Sequence, residues 1–169
     1  IVENEKLISE IKEEFGQSLS EVALPKIASM FEKTNLEAKD INKIIVVDGP
    51  GSFTGIRIGI TIAKVYAWSL NIPITTITSL EAMALSSDEE KVHVPMINAR
   101  RGYVYTAIYD KDYNELLKPQ HMKLEDLLKE LEKTNEYEFI SNDKFDGIEN
   151  IKEYKHNLEK IDNYFKNKD

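Results

Sequence analysis

Cysteine is absent from all 169 residues, which excludes a disulfide framework, thiolate metal sites and thiol nucleophiles. Positive charge is also scarce: 22 lysines and arginines stand against 30 aspartates and glutamates, a formal net charge of −8. Gripping nucleic acid unaided requires a surface that neutralises phosphates, so this balance disfavours a protein that holds RNA or DNA alone. No run approaches the roughly 20 consecutive apolar residues of a membrane span, and Ile1-Val2-Glu3-Asn4 is not a basic region followed by a hydrophobic one. The expectation is a cytoplasmic chain with no membrane contact. At 41% hydrophobic and 31% charged, the chain has enough apolar material to bury a core in one domain or two small lobes.

Glu3-Asn4-Glu5-Lys6 reads as a turn between two short strands, with Leu7, Ile8 and Ile11 available to a sheet. Ser18-Leu19-Ser20-Glu21 has capping-box spacing and predicts a helix to about Thr34, whose apolar stripe is Leu19, Val22, Ala23, Ile27, Met30 and Phe31. Pro25 inside it should kink it. Lys43 to Asp48 reads as a buried strand. A glycine-rich turn then leads into a helix over Ile56 to Leu70 and a strand over Ile72 to Thr76, the order of a βαβ unit. A short helix follows Thr78, and Ser86 to Lys91 reads as a solvated break. It places the lobe boundary at residue 90, giving lobes 1–90 and 91–169. Val92 to Ala99 and Gly102 to Tyr109 form a hairpin through Arg100-Arg101-Gly102, and a helix over Leu124 to Lys133, a strand over Tyr137 to Ser141 and a helix over Asn157 to Lys166 complete the chain.

The turn Gly49-Pro50-Gly51-Ser52-Phe53-Thr54-Gly55 is the most informative local feature. A Walker loop needs Lys-Ser/Thr after its last glycine, and Ile56 stands there instead. A dinucleotide fingerprint breaks at Thr54, and the acidic residue it wants about 20 positions on is missing from Ile72-Pro73-Ile74-Thr75-Thr76. A structural tight turn and an anion cradle at a helix N-terminus both remain open. Ser52 is not in a nucleophile elbow, because Gly-x-Ser-x-Gly is absent around it. His93, His121 and His156 are far apart, none has the one-turn spacing of a helical metal site, and each reads as a surface or satisfied core histidine. No cofactor, metal site or acid/base pair is nominated.

That loop, continuing through Ile56-Arg57-Ile58-Gly59, Ala63-Lys64, Ile72-Pro73 and Thr78-Ser79-Leu80-Glu81-Ala82, resembles the signature of the TsaB (YeaZ) family. A second block, Pro95-Met96-Ile97-Asn98-Ala99-Arg100-Arg101-Gly102-Tyr103-Val104-Tyr105, is similar to that family's Pro-x-Ile-Asp-Ala-Arg-Arg segment. Asn98 stands where the family usually has Asp, Asp48 precedes the loop where a small or polar residue is usual, and Gln17 replaces a common His. The resemblance implies an α/β, actin-like and Hsp70-like (ribonuclease H-like) two-lobed fold, without the family's first strand and its phosphate turn, and with a shortened C-terminal lobe. It further implies a non-catalytic subunit needed for threonylcarbamoyladenosine in tRNAs reading codons that begin with A. Such a subunit pairs with a TsaD-like catalytic homologue alongside a TsaE-like ATPase, forms a homodimer when alone, and meets tRNA only through the complex. The alternative is an independent ATP-dependent transferase or glycoprotease-like hydrolase on the same fold.

A helical wheel sharpens the partner reading. Arg57, Thr61, Lys64 and Trp68 share a polar arc of about 60°, and Gly55, Gly59, Ala63 and Ala67 form a ridge of small residues. An apolar arc wider than about 200° can serve both the chain's own sheet and a second protein. The expected interface is Leu19, Val22, Ala23 and Ile27 of the first helix with Ile56, Gly59, Ile60, Ala63, Lys64 and Ala67 of the second. Ile60→Glu is expected to abolish pairing and leave a folded monomer.

Overall fold

The computed structural model describes residues 1–14 and 18–168, which fold as two units: Ile1–Ile77 with Leu158–Asp169, and Thr78–Asn157. Gln17 lies outside the described residues. The division therefore falls after Ile77 and not at residue 90. The stretch read as a solvated break contains Ser87, which is fully buried, and the helix just before it buries Leu80, Met83 and Ala84 in the second unit's core. The last helix rejoins the first unit.

In the first unit, β1 (Val2–Glu3) and β2 (Lys6–Leu7) form the expected hairpin, with Asn4 and Glu5 both at positive φ in the turn. The second strand stops short of Ile8 and Ile11. Helix α1 (Leu19–Thr34) runs unbroken through Pro25 and ends on Asn35, whose left-handed conformation lets its amide return to the last carbonyls. The parallel pair β3 (Ile44–Val47) and β4 (Ile74–Ile77) is joined by α2 (Phe53–Leu70), so the βαβ reading is found. Two strands cannot cover each other, and β3 is half-buried, with Val47 exposed, instead of buried. Helix α5 (Leu158–Lys166) lies against β1 and β2, and the Glu159 carboxylate accepts the Leu7 amide at 2.7 Å.

Capping differs from expectation in an instructive way. Ser18 makes no side-chain bond to the first turn of α1, whereas Ser52 accepts the Gly55 amide at 3.2 Å to start α2. Thr78 likewise accepts the Glu81 amide at 3.0 Å at the start of α3 (Ser79–Ala84). Ser52→Ala and Thr78→Ala should each cost about 1 kcal/mol, and Ser18→Ala less than about 0.5 kcal/mol, when urea midpoints are compared.

The second unit carries the larger core. Its sheet has the order β7 (Glu115–Lys123), β6 (Tyr103–Tyr109), β5 (Val92–Asn98), β8 (Tyr137–Ile140), β9 (Ile151–Lys152), with parallel β5–β8 and β8–β9 pairs and antiparallel β5–β6 and β6–β7 pairs. Alternation along the strands sends Val94, Met96, Val104 and Phe139 to one face, where Leu127 and Leu131 of α4 (Leu124–Leu131) close the cluster. Ala107, Tyr109 and Ile140 point to the other face and meet Leu80, Met83 and Ala84 of α3.

At the β6–β7 turn the Asp110 carboxylate accepts amides of Asp112 at 2.8 Å and Asn114 at 2.9 Å, and also the Asn114 side chain. Desolvation pushes this carboxyl up, but those hydrogen bonds outweigh it and hold the group below its ordinary value of 3.8. A depressed folded-state value contributes stability above the unfolded-state value and loses it as the pH falls through the folded one. Asp110→Asn should therefore lower stability at neutral pH, and its difference from the parent should close below about pH 4, as measured by denaturation across that range.

Candidate functional site

The glycine loop is shorter than the sequence implied, because Phe53, Thr54 and Gly55 already belong to the first turn of α2. Gly49 sits at φ +108, a backbone conformation that favours glycine, and a Cβ there would also press on the end of the Ile56 side chain, Cδ1 at 3.0 Å. The Gly55 amide, one of the groups an anion would use, is taken by Ser52 Oγ. A Cβ on Gly55 would meet Ser52 Oγ at 3.3 Å, so the tight neighbour is the capping side chain, while Leu19 of α1 would lie at an ordinary contact distance of 3.7 Å. Gly49, Pro50, Gly51 and Ser52 thus act as a structural turn that launches α2 at this angle.

Two apolar depressions flank the α1–α2 seam. One, of about 480 Å³, is lined by Leu19, Ala23 and Ile27 of α1, Gly59, Ile62 and Ala63 of α2, and Ile44 to Val46 at the open edge of β3. The other, of about 360 Å³, lies between Leu24 of α1 and Phe53, Thr54, Arg57, Ile58, Thr61 and Ile62 of α2. Four large apolar side chains on these helices stand in solvent: Trp68 at 86% exposure, Phe53 at 72%, Val65 at 57% and Leu24 at 51%. The Arg57 guanidinium stacks over the Phe53 ring with its centre 5.1 Å from the centroid.

The expected interface residues divide between these surfaces and the unit's own interior. Leu19, Ala23, Ile27 and Gly59 line the first groove, while Val22, Ile56 and Ile60 are half-buried outside both depressions, and Lys64 is exposed. Ala63 and Ala67 are only 6% exposed. Only the C-terminal half of the small-residue ridge is buried in the unit: Ala67 is covered, whereas a Cβ on Gly59 would meet open space. Ile60 falls about 20° from Ala67 on a wheel of 100° per residue, on the inward side. The exposed face lies instead on the arc of Arg57, Thr61, Lys64 and Trp68, joined by Leu24, Phe53 and Val65. Leu24, Phe53 and Val65 are absent from the expected interface, because no spacing in the sequence marks which apolar residues of the two helices stay uncovered.

The histidines also separate. His121 is on the surface of β7, and His156 Nδ1 lies 2.7 Å from the Tyr154 hydroxyl, whose titration burial pushes up to about 12. His93 is fully buried, with Nδ1 2.9 Å from Glu138 Oε1 and its ring stacked on Tyr113. Its Nε2 has no partner among the described residues, so it is a core histidine satisfied on one side only. Lys152 Nζ lies 3.9 Å from Glu138 Oε2 and donates to Ser87 Oγ at 3.0 Å. Among the described residues no three His, Asp or Glu side chains are grouped as metal ligands, and no helix is long and apolar enough to cross a membrane.

Comparison with known proteins gives this arrangement a family. The family model described as "TsaD: tRNA N6-adenosine threonylcarbamoyltransferase" matches residues 7–159. The "tRNA threonylcarbamoyladenosine biosynthesis protein TsaB" of Bacillus subtilis is 38% identical over 126 residues, covering 72% of this chain and 55% of that protein. The protein of the same name from Buchnera aphidicola (Acyrthosiphon pisum) is 34% identical over 116 residues, 62% of this chain and 52% of that one. The chain spans about half the length of these curated relatives. The solved structure of YeaZ from Pseudomonas aeruginosa superposes with a TM-score of 0.53 at 23% identity, over 62% of this chain and 51% of that one, which supports the fold alone. With the TsaD-described model matching nearly the whole chain and TsaB proteins 34% and 38% identical to it, this α/β protein has the actin-like, ATPase-type fold and belongs to the TsaB (YeaZ) family.

Proposed function

We propose that this chain is a non-catalytic subunit required for threonylcarbamoyladenosine formation in tRNAs reading codons that begin with A. It acts by pairing with and stabilising a TsaD-like catalytic homologue, alongside a TsaE-like ATPase subunit, and engages tRNA within that complex. The names carried by its relatives supply the pathway. The observation that supports the pairing is the outer surface of α1 and α2, where Leu24 and Phe53 stand in solvent at the rim of an apolar depression and Val65 and Trp68 are exposed further along α2. Large apolar side chains exposed beside an apolar depression are the kind of surface that marks an interaction site. Aromatic side chains such as Trp68 and Phe53 are those enriched at the energetic centres of interfaces. The same face can receive a second copy of the chain when the homologue is absent.

Co-expression with a TsaD-like homologue, followed by co-purification and size measurement, tests this. One complex containing both chains is the expected product, and two species migrating independently would overturn the pairing. The transferase named by the family model favours a second reading, an independent enzyme on the same fold. Turnover of ATP by the chain alone separates the two.

A further inference from the structure

The second unit's sheet carries a cluster of rings that belongs to neither of its cores. Tyr103 and Tyr105 alternate onto the same side of β6, and the register of the β6–β7 pair sets His121 opposite Tyr105 and Lys123 opposite Tyr103. The His121 ring stacks on Tyr103 at 4.8 Å with 5° between planes, and Tyr105, on the same strand as Tyr103, lies 5.2 Å from His121, tilted by 54°. Tyr105 is 38% exposed and His121 is exposed. Neither apolar cluster includes any of the three. Cross-strand ring pairs do stabilise hairpins, but stabilisation alone does not account for what surrounds them.

Arg100 and Arg101 form the β5–β6 turn at the end of this ladder, both exposed, with φ of 66° and 51°. Neither forms an ion pair with a described residue. Asp143 Oδ2 accepts the Asn98 amide at 2.8 Å, and Glu125 lies 3.7 Å from Lys123 Nζ. On a chain of net charge −8, two free guanidiniums next to exposed Tyr105 and His121 and half-buried Tyr103 are a local reversal of charge. Exposed rings on a sheet face flanked by cationic side chains match the chemistry of unpaired nucleotides, whose bases stack on rings and whose phosphates pair with arginine.

We propose that Tyr103, Tyr105 and His121, with Arg100 and Arg101, form a stacking platform for an unpaired stretch of RNA. This deepens the proposed function, on which it rests, by assigning the chain its own RNA-facing surface within the complex. The overall negative charge makes the contact weak and salt-sensitive in the isolated chain.

The test is fluorescence anisotropy of a labelled single-stranded oligoribonucleotide of about ten residues, the size that such platforms hold, titrated with the 169-residue chain at several potassium chloride concentrations. The single strand should bind more tightly than the same sequence in a duplex. Tyr105→Ala should weaken binding about tenfold, with the salt slope kept, because base stacking is lost and phosphate contacts are not. Arg100→Gln with Arg101→Gln should lower the slope of log affinity against log salt by about 1.4, two phosphate contacts at about 0.7 each. Circular dichroism checks each variant, and should Tyr105→Ala fail to fold, the arginine pair at the exposed turn decides the matter. No binding of the single strand, unchanged binding in the variants, or equal binding of polyglutamate would overturn the platform. Pairing with the homologue measured in parallel separates the two ideas: pairing kept with no RNA binding removes only the platform, and pairing lost in the parent chain removes the proposed function.

Discussion

Replacing Leu24 with glutamate is expected to abolish pairing with the catalytic homologue and leave a soluble, folded chain. Leu24 is half-exposed on α1, facing the depression it shares with Phe53, Ile58, Thr61 and Ile62. In the free chain a carboxylate there is hydrated, and surface substitutions of this kind change stability by less than about 0.5 kcal/mol. In a complex that covers the depression, the same charge is buried without a partner, at a cost of about 3 to 5 kcal/mol. That corresponds to a loss of affinity of two to three orders of magnitude or more, at about 1.4 kcal/mol per tenfold. Ile60→Glu is the contrasting variant: Ile60 is half-buried on the side of α2 near Ala67, so the charge enters the chain's own unit and should unfold or destabilise it. Size-exclusion chromatography and circular dichroism read both outcomes. A Leu24→Glu chain that still co-elutes with the homologue would remove this face from the interface.

Depleting the protein from its cell should remove threonylcarbamoyladenosine from tRNAs reading codons that begin with A, with the catalytic homologue still expressed. The argument is one of assembly. A subunit that acts by pairing supplies no reacting group, yet its partner's productive arrangement depends on the surface it provides, so loss of either chain gives the same chemical outcome. Mass spectrometry of digested tRNA measures the modified nucleoside, and immunodetection of the homologue separates failed catalysis from failed expression. Re-expression of the Leu24→Glu variant should fail to restore the modification, and Ser18→Ala should restore it fully. Normal modification in the depleted cell would refute the assignment.

Helices and the central hairpin were legible in the sequence because their signals are local. The three- and four-residue spacing from Leu19 to Phe31 marks α1, and Arg100-Arg101-Gly102 between two β-rich runs marks the β5–β6 turn. Strand β7 was not legible. A bulge between its pairings with Ile108 and Thr106 lets Leu117 and Met122, five residues apart, both pack onto the α4 core, and Pro119 interrupts the run. A period-two search cannot find such a strand. The capping pattern at Ser18 was present in sequence and unused in structure, while Ser52, within the loop that sequence reading extended to Gly55, supplies a real cap.

The partner face was half legible. The wheel of α2 identified correctly which residues share an arc, but it cannot say which arc a two-stranded sheet will cover. Of the small-residue ridge, Ala63 and Ala67 are buried while Gly59 faces open space, and Trp68, which shares the arc of Arg57, Thr61 and Lys64, stands in solvent with them. The exposure of Phe53, Val65 and Leu24 is visible only once the helices are placed. The ring cluster on β6 and β7 was invisible for the same reason as β7: His121 meets Tyr103 and Tyr105 only through a register that the bulge sets.

Reconstitution of the modification with purified components tests the central claim most directly: tRNA, threonine, bicarbonate and ATP with the remaining pathway proteins, with and without this chain, and this chain alone with ATP and tRNA. The account predicts modified tRNA only when this chain and the catalytic homologue are both present, and neither ATP turnover nor modification by this chain alone. Modification by the homologue at the same rate without this chain, or ATP turnover by this chain alone that is lost on Ser52→Ala or Thr54→Ala, would contradict it.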